Sequence, residues 1–311
     1  MKSRHFSFLL QWGIILATLI FVSRAFYENW QEVARLQISR QAWLYLVTAL
    51  AISLLSHGWS GILWGEILRN LRYPVSGQWA AIVFLATEIA KYLPGDVWQV
   101  YGRLQAARKM GVPISVGIVS IILQSVYLAA AGLGFGLLAA FRPLFKELCV
   151  LGLIVILVGV HPTVFARVAS WIERLPTTSI VEELFSRLAK TPWDRPRIQY
   201  YPHRVILGQF LALGLRSISF LLVVLVFTSI SNEAIAPLIG GFGFAWALGV
   251  VSPISGGVGV FEATALGLLD EVTASSVILG SVILYRLIAI MTEAIGSGVG
   301  LLLSRTHNTY S

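Results

Sequence analysis

Long apolar runs, each closed by a short polar stretch, repeat along the chain. Full-length runs fall near residues 7–26, 41–63, 113–140, 147–165, 204–230 and 272–303. About 20 helical residues cross the roughly 30 Å of bilayer hydrocarbon, so each run is long enough to span. Backbone groups in lipid need internal partners, and these runs lack the alternation of a barrel strand, so helices are predicted. Two further apolar stretches, near 78–93 and 235–251, break off early. The first ends in Lys91-Tyr92-Leu93-Pro94-Gly95-Asp96, the second in Ser252-Pro253-Ile254-Ser255-Gly256-Gly257-Val258-Gly259. Proline and clustered glycine interrupt a helix, and both stretches read as re-entrant or broken hairpins. The fold class is therefore an all-α polytopic membrane protein, with about six full spans and two hairpins.

Composition agrees. Of 311 residues, 57% are hydrophobic and 12% charged, with a mean hydropathy of +0.78; soluble domains carry about 25% charged residues. The net charge of +8 does not point to nucleic acid, because the basic residues lie between apolar segments and not along one soluble face. They report orientation instead. With the amino terminus cytoplasmic and both hairpins re-entrant, fifteen Lys and Arg fall on the cytoplasmic side and five on the other: Arg24, Arg35, Arg40, Arg142 and Lys146. Lys91, Arg216 and Arg286 stay at membrane depth. This distribution follows the positive-inside rule and places both termini in the cytoplasm of a multi-pass cell-membrane protein. Met1-Lys2-Ser3-Arg4 precedes the first run like the basic start of a signal peptide, but the run's length and the lack of a small-x-small cleavage site favour a retained span. The one cysteine, Cys149, excludes a disulfide within the chain.

A shift of 159 residues lays Pro94 on Pro253, Arg103 on Glu262 and His57 on Arg216. Residues 41–140 and 200–303 are thus candidate inverted repeats within a single domain covering 1–311. Such repeats underlie many alternating-access carriers, whose sites lie near the midplane at broken helices. Residues 163–203 read as a cytoplasmic amphipathic connector.

Eight polar or charged residues lie in or at the edge of the apolar segments: His57, Glu88, Lys91, Arg103, Arg216, Glu262, Arg286 and Glu293. A charge at the bilayer centre costs at least about 2.5–3.5 kcal/mol on insertion scales, so these groups face protein or a wet cavity. Glu88 and Lys91 are three apart and can pair on one helix face. Arg286 and Glu293, seven apart, suit lining one seam better than a direct bond. Glu88, Glu293 and His57 are candidates for ion pairs that brace the bundle. Lys91, Arg103, Arg216, Glu262 and Arg286 are candidates for a substrate path, with Gly256 and Gly257 turning the backbone ahead of a half-helix. That half-helix would direct its positive end at an anionic group. Arg103 and Glu262, opposite in charge and matched in the repeat, are expected to face each other. Arg216 and Arg286 are expected to hold an anionic headgroup, most naturally a phosphate, through the bidentate fork of arginine.

Catalytic motifs are missing. There is no HExxH, no GxSxG and no cluster of metal-ligand spacing, so neither enzyme activity, metal nor cofactor is expected. Trp30, Trp43, Trp59, Trp64, Trp79 and Trp98 read as part of an interfacial aromatic belt.

Lys91-Tyr92-Leu93-Pro94-Gly95-Asp96-Val97-Trp98, followed by Gly102-Arg103, resembles the KYLPG-x-(V/I)-W…GR signature of the lysylphosphatidylglycerol synthase transmembrane family. The later Pro253-Ile254-Ser255-Gly256-Gly257-Val258-Gly259-Val260-Phe261-Glu262 resembles that family's P-x-x-GG-(L/I/V)-G-x-x-E motif, and the likeness covers roughly 10–303. In bifunctional members this region is the flippase half, which carries an aminoacylated lipid between leaflets after a soluble domain makes it. The resemblance implies a stand-alone flippase-like protein without the synthase domain, with membrane lipid as its substrate and a lipid-modifying enzyme as a possible partner. The alternatives are an accessory protein or enzyme that presents a lipid carrier in glycolipid or polyprenol-linked pathways, and a small-solute carrier.

Overall fold

The computed structural model describes residues 42–92, 98–139, 143–172, 196–252, 257 and 259–307. The run at 7–26 lies outside them, as do Pro94, Pro253, Gly256 and residues 173–195 of the connector. Ten α-helices and no strand occur among the described residues. In chain order they are α1 (Ala42–Asn70), α2 (Gly77–Glu88), α3 (Trp98–Lys109), α4 (Ile114–Gly136) and α5 (Pro143–Gly159). There follow α6 (Pro162–Ile172), α7 (His203–Phe227), α8 (Asn232–Val251), α9 (Val260–Leu269) and α10 (Ser275–His307). Five of them, α1, α4, α7, α8 and α10, are long and apolar enough to cross a membrane.

Two segments differ from expectation. The run at 147–165 is not one straight span: α5 and α6 meet at an angle of 81°. The cause is local, since Pro162 has no N–H to continue the α5 ladder and its ring excludes helical geometry just before it. The second interrupted stretch has a first limb, α8, of 20 residues, which is membrane-length, while its second limb, α9, has only 10. The first hairpin has two short limbs of 12 residues each. The amphipathic connector is described only in part, as α6 and residues 196–202.

Polarity along the long helices is the reverse of a soluble protein's. On α1, Ser53, Ser56, His57 and Ser60 are buried while Trp43, Leu44, Val47 and Leu55 are exposed. On α5, Leu144, Leu148, Leu151 and Val155 are exposed at helical spacing. Lipid solvates such an apolar face, and polar groups turn inward to find partners.

The chain divides into two compact units. Unit one comprises residues 1–56, 131–150 and 210–292; unit two comprises 57–130, 151–209 and 293–311. Unit one is built on an aromatic core. Phe220 stacks on Phe242 with centroids 4.5 Å apart, and Tyr285 meets Phe242 edge-on at 4.8 Å. Trp246 meets Phe261 edge-on at 5.5 Å. Glycines bring α8 close to its neighbours: a Cβ on Gly240 would lie 2.6 Å from the Phe135 carbonyl oxygen, so only glycine fits there.

Unit two is organised around α2. The Ser76 hydroxyl caps the helix by accepting the Trp79 N–H at 3.1 Å. A Cβ on Gly61 of α1 would lie 2.6 Å from the Ala81 Cα, and one on Gly300 of α10 would lie 2.6 Å from the Ala86 nitrogen. Small residues thus let α2 lie against two backbones, as helix packing in lipid requires. At its end α2 tightens into a 3₁₀ turn, Ile89–Tyr92. Ser297 of α10 holds this point, donating to the Leu85 carbonyl at 2.8 Å and accepting the Ile89 N–H at 3.2 Å.

Candidate functional site

Each unit carries its own buried charge cluster. In unit two, Glu88 closes α2 and Lys91 sits on the 3₁₀ turn that follows. The Glu88 Oε2 accepts from Arg103 Nη2 at 2.6 Å and from Gln99 Nε2 at 2.8 Å. Its Oε1 faces Lys91 Nζ at 3.4 Å. That ammonium lies closer still to Glu293 of α10, with Nζ 2.5 Å from Oε1. The same Glu293 oxygen is 3.6 Å from His57 Nε2, an ion-pair distance and too long for a good hydrogen bond. Glu293 Oε2 is buried without a hydrogen-bond partner among the described residues. His57 and Glu293 are each 1% exposed, so both side chains are shut off from solvent.

Arg103 is fixed by more than its ion pair. Its guanidinium lies over the Phe84 ring at 3.8 Å, a cation–π contact that strengthens where water is excluded. Gly102, the preceding residue, fits because a Cβ there would meet the Thr87 methyl at 2.8 Å. The GR pair of the sequence thus has a structural reason: the glycine lets α3 approach α2, and the arginine reaches its carboxylate.

Formal charges in this cluster balance. Glu88 and Glu293 offset Lys91 and Arg103 when the imidazole is neutral. His57, Glu88 and Glu293 also bring ligand-type atoms within 4.8 Å of one another. The Lys91 ammonium already supplies the cation both carboxylates need, so the arrangement reads as an ion-pair cluster.

In unit one, Gly259 precedes α9 with φ +89°, and Glu262 sits in the first turn of that helix. Its Oε2 reaches back to accept the Gly259 N–H, half of a capping box at the positive end of the helix dipole. Its Oε1 accepts from Arg286 Nε of α10 at 2.6 Å. Arg286 Nη2 donates to the Gly257 carbonyl at 3.1 Å, and its guanidinium lies 5.2 Å from the Phe261 centroid. Arg216 of α7 is 8% exposed and lies over the Trp246 ring at 5.0 Å. The five aromatic rings of the unit's core thus end in two guanidinium groups.

The Glu88–Lys91 pair is present. Arg103 and Glu262 do not pair with each other; Glu88 takes the arginine and Arg286 takes the carboxylate. Arg286, expected to hold an anionic headgroup, is paired with Glu262. Gly257 is buried with φ +62°, and a Cβ there would lie 2.5 Å from the Gly249 carbonyl oxygen; Gly256 is outside the described residues. Missed altogether were Gln99, Phe84 and Ser297. Ser297 was within reach of pattern reading, since it lies four residues after Glu293 on one face of α10.

A family model described as Lysylphosphatidylglycerol synthase TM region matches residues 8–296. No curated protein matches the chain.

Proposed function

We propose, from the premise that the chain belongs to the lysylphosphatidylglycerol synthase TM-region family, that it moves an anionic or lipid-linked headgroup between membrane leaflets. The observation that carries this reading is the number of charged side chains buried in an otherwise apolar helical protein. Glu88, Arg103, Glu262 and Arg216 are all at most 8% exposed. Each costs insertion energy, and bracing alone is cheaper with apolar packing. A polar route for a headgroup, with the acyl tails left in lipid, gives the charges a use.

Two arginines support an anionic group as cargo. Arg216 and Arg286 lie against aromatic faces, and arginine keeps its charge when partly desolvated. The two helix–break–helix segments, α2/α3 and α8/α9, support an inverted-repeat carrier, in which broken helices flank the site. In this reading the headgroup crosses unchanged. The distribution of Lys and Arg supports a cell-membrane location with both termini cytoplasmic.

The test is reconstitution of the full chain into vesicles with head-labelled phosphatidylglycerol in one leaflet. Transfer of label to the other leaflet faster than in protein-free vesicles, with no new lipid product, is the expected result. Product formation without transfer would favour the enzyme or accessory reading and overturn this one.

A further inference from the structure

The cluster in unit two has a chemistry that headgroup binding alone does not use. Lys91 and His57 approach the same oxygen of Glu293, at 2.5 Å and 3.6 Å. The second oxygen of that carboxylate is buried and without a partner among the described residues. Around them, among the described residues, stand Glu88 from α2 and Gln99 and Arg103 from α3.

We infer that this cluster is a proton-operated release for Lys91. With the imidazole neutral, two carboxylates face two cations and the cluster is closed. Histidine is the side chain that ordinarily changes charge between about pH 5 and 8. A proton taken up by His57 makes an imidazolium beside Glu293, and two cations then compete for one carboxylate. The excess charge is buried, where an unmatched ion is costly, so one cation must leave.

Geometry selects which one. Arg103 is held by Glu88 and by the Phe84 face, and its side chain is 7% exposed. Lys91 is 19% exposed, the most exposed charged member, on a long flexible stem at the end of a 3₁₀ turn. It is the group that can swing away, leaving the imidazolium on Glu293. The freed ammonium then meets an external anion, and proton plus anion together restore neutrality. For a translocator of anionic headgroups this couples each headgroup captured to one proton. That role rests on the translocation reading; the release itself does not.

The experiment acylates the purified full chain with an amine-reactive reagent at a series of pH values, about 5.5 to 8, the range over which histidine ordinarily titrates. Peptide mass spectrometry reads the labelling of Lys91 relative to Lys109, which is exposed and serves as the internal standard. The ratio is expected to rise several-fold as the pH falls, and to stay at its high-pH value in His57→Gln. A flat ratio in the parent protein overturns the inference, whatever the variant does. An equal rise in His57→Gln overturns it as well. Vesicles loaded with labelled phosphatidylglycerol, with and without a pH gradient, separate the two ideas. If the ratio rises but no lipid moves, translocation fails and the release stands. If lipid moves at one rate with or without the gradient and the ratio is flat, the release fails and translocation stands.

Discussion

Glu262 uses both carboxylate oxygens at once: Oε2 caps the Gly259 N–H ahead of α9, and Oε1 accepts Arg286 Nε at 2.6 Å. One side chain therefore ties a helix start to a spanning helix. Glu262→Ala should remove the carboxylate to which Arg286 Nε donates, and breaking such a buried pair costs about 3–5 kcal/mol. Arg286→Met should be milder, because Glu262 keeps its cap. The double variant should lose less than the two singles added. Unfolding of the detergent-purified proteins measures all three, and strict additivity would remove the coupling.

Close packing around α2 makes a second prediction. A methyl group on Gly300 would press on the Ala86 nitrogen at 2.6 Å and the Ile82 carbonyl at 2.9 Å. Backbone cannot rotate aside as a flexible side chain can, so Gly300→Ala should destabilise by about 1–3 kcal/mol, the usual cost of overpacking. Gly298 has open space at its Cβ position, and Gly298→Ala should be neutral or slightly stabilising through helix propensity. Melting temperatures of the two variants, compared side by side, check the difference.

These contacts also show what a sequence can and cannot disclose. Spans are legible because hydrocarbon thickness fixes their length, and α1, α4, α7 and α10 fall close to the expected runs. Glu88–Lys91 is legible because three residues along a helix bring two side chains together. Lys91–Glu293 is not, since the partners are 202 residues apart and only the fold decides which carboxylate Lys91 meets. The same holds for Arg286, whose partner Glu262 is 24 residues away across a turn. Matching charges by repeat position paired Arg103 with Glu262, but each is held by a partner within its own unit. The 81° bend was written in Pro162, and the hydrophobic pattern overrode it because both sides of the bend are apolar.

A third prediction concerns backbone geometry. Gly257 has φ +62°, and its carbonyl accepts from Arg286 Nη2 at 3.1 Å. An L-residue there is strained by about 1–3 kcal/mol, and its Cβ would also collide with the Gly249 carbonyl. Gly257→Ala should therefore lower stability and shift the carbonyl that orients Arg286. Translocation should fall together with thermal stability. A Gly257→Ala protein as stable and active as the parent would contradict the argument.

The last prediction separates bracing from recognition at the two arginines of unit one. Arg286 has a carboxylate partner in Glu262, so Arg286→Lys keeps a charge for that pair while losing the bond to the Gly257 carbonyl. Arg216 places its Cζ over the Trp246 ring at 5.0 Å, a contact to which the guanidinium's shape contributes as well as its charge. If Arg216 holds a headgroup phosphate, lysine replaces a two-pronged contact with a point charge. Arg216→Lys should then fold normally but translocate anionic lipid more slowly, and Arg216→Gln more slowly still. Arg286→Gln should instead lose stability first, because it removes the cation from Glu262. Leaflet transfer in vesicles, measured beside melting temperature, gives each variant two coordinates. An Arg216→Gln protein that is stable and moves lipid at the parent rate would show that Arg216 packs against Trp246 and does nothing for the headgroup.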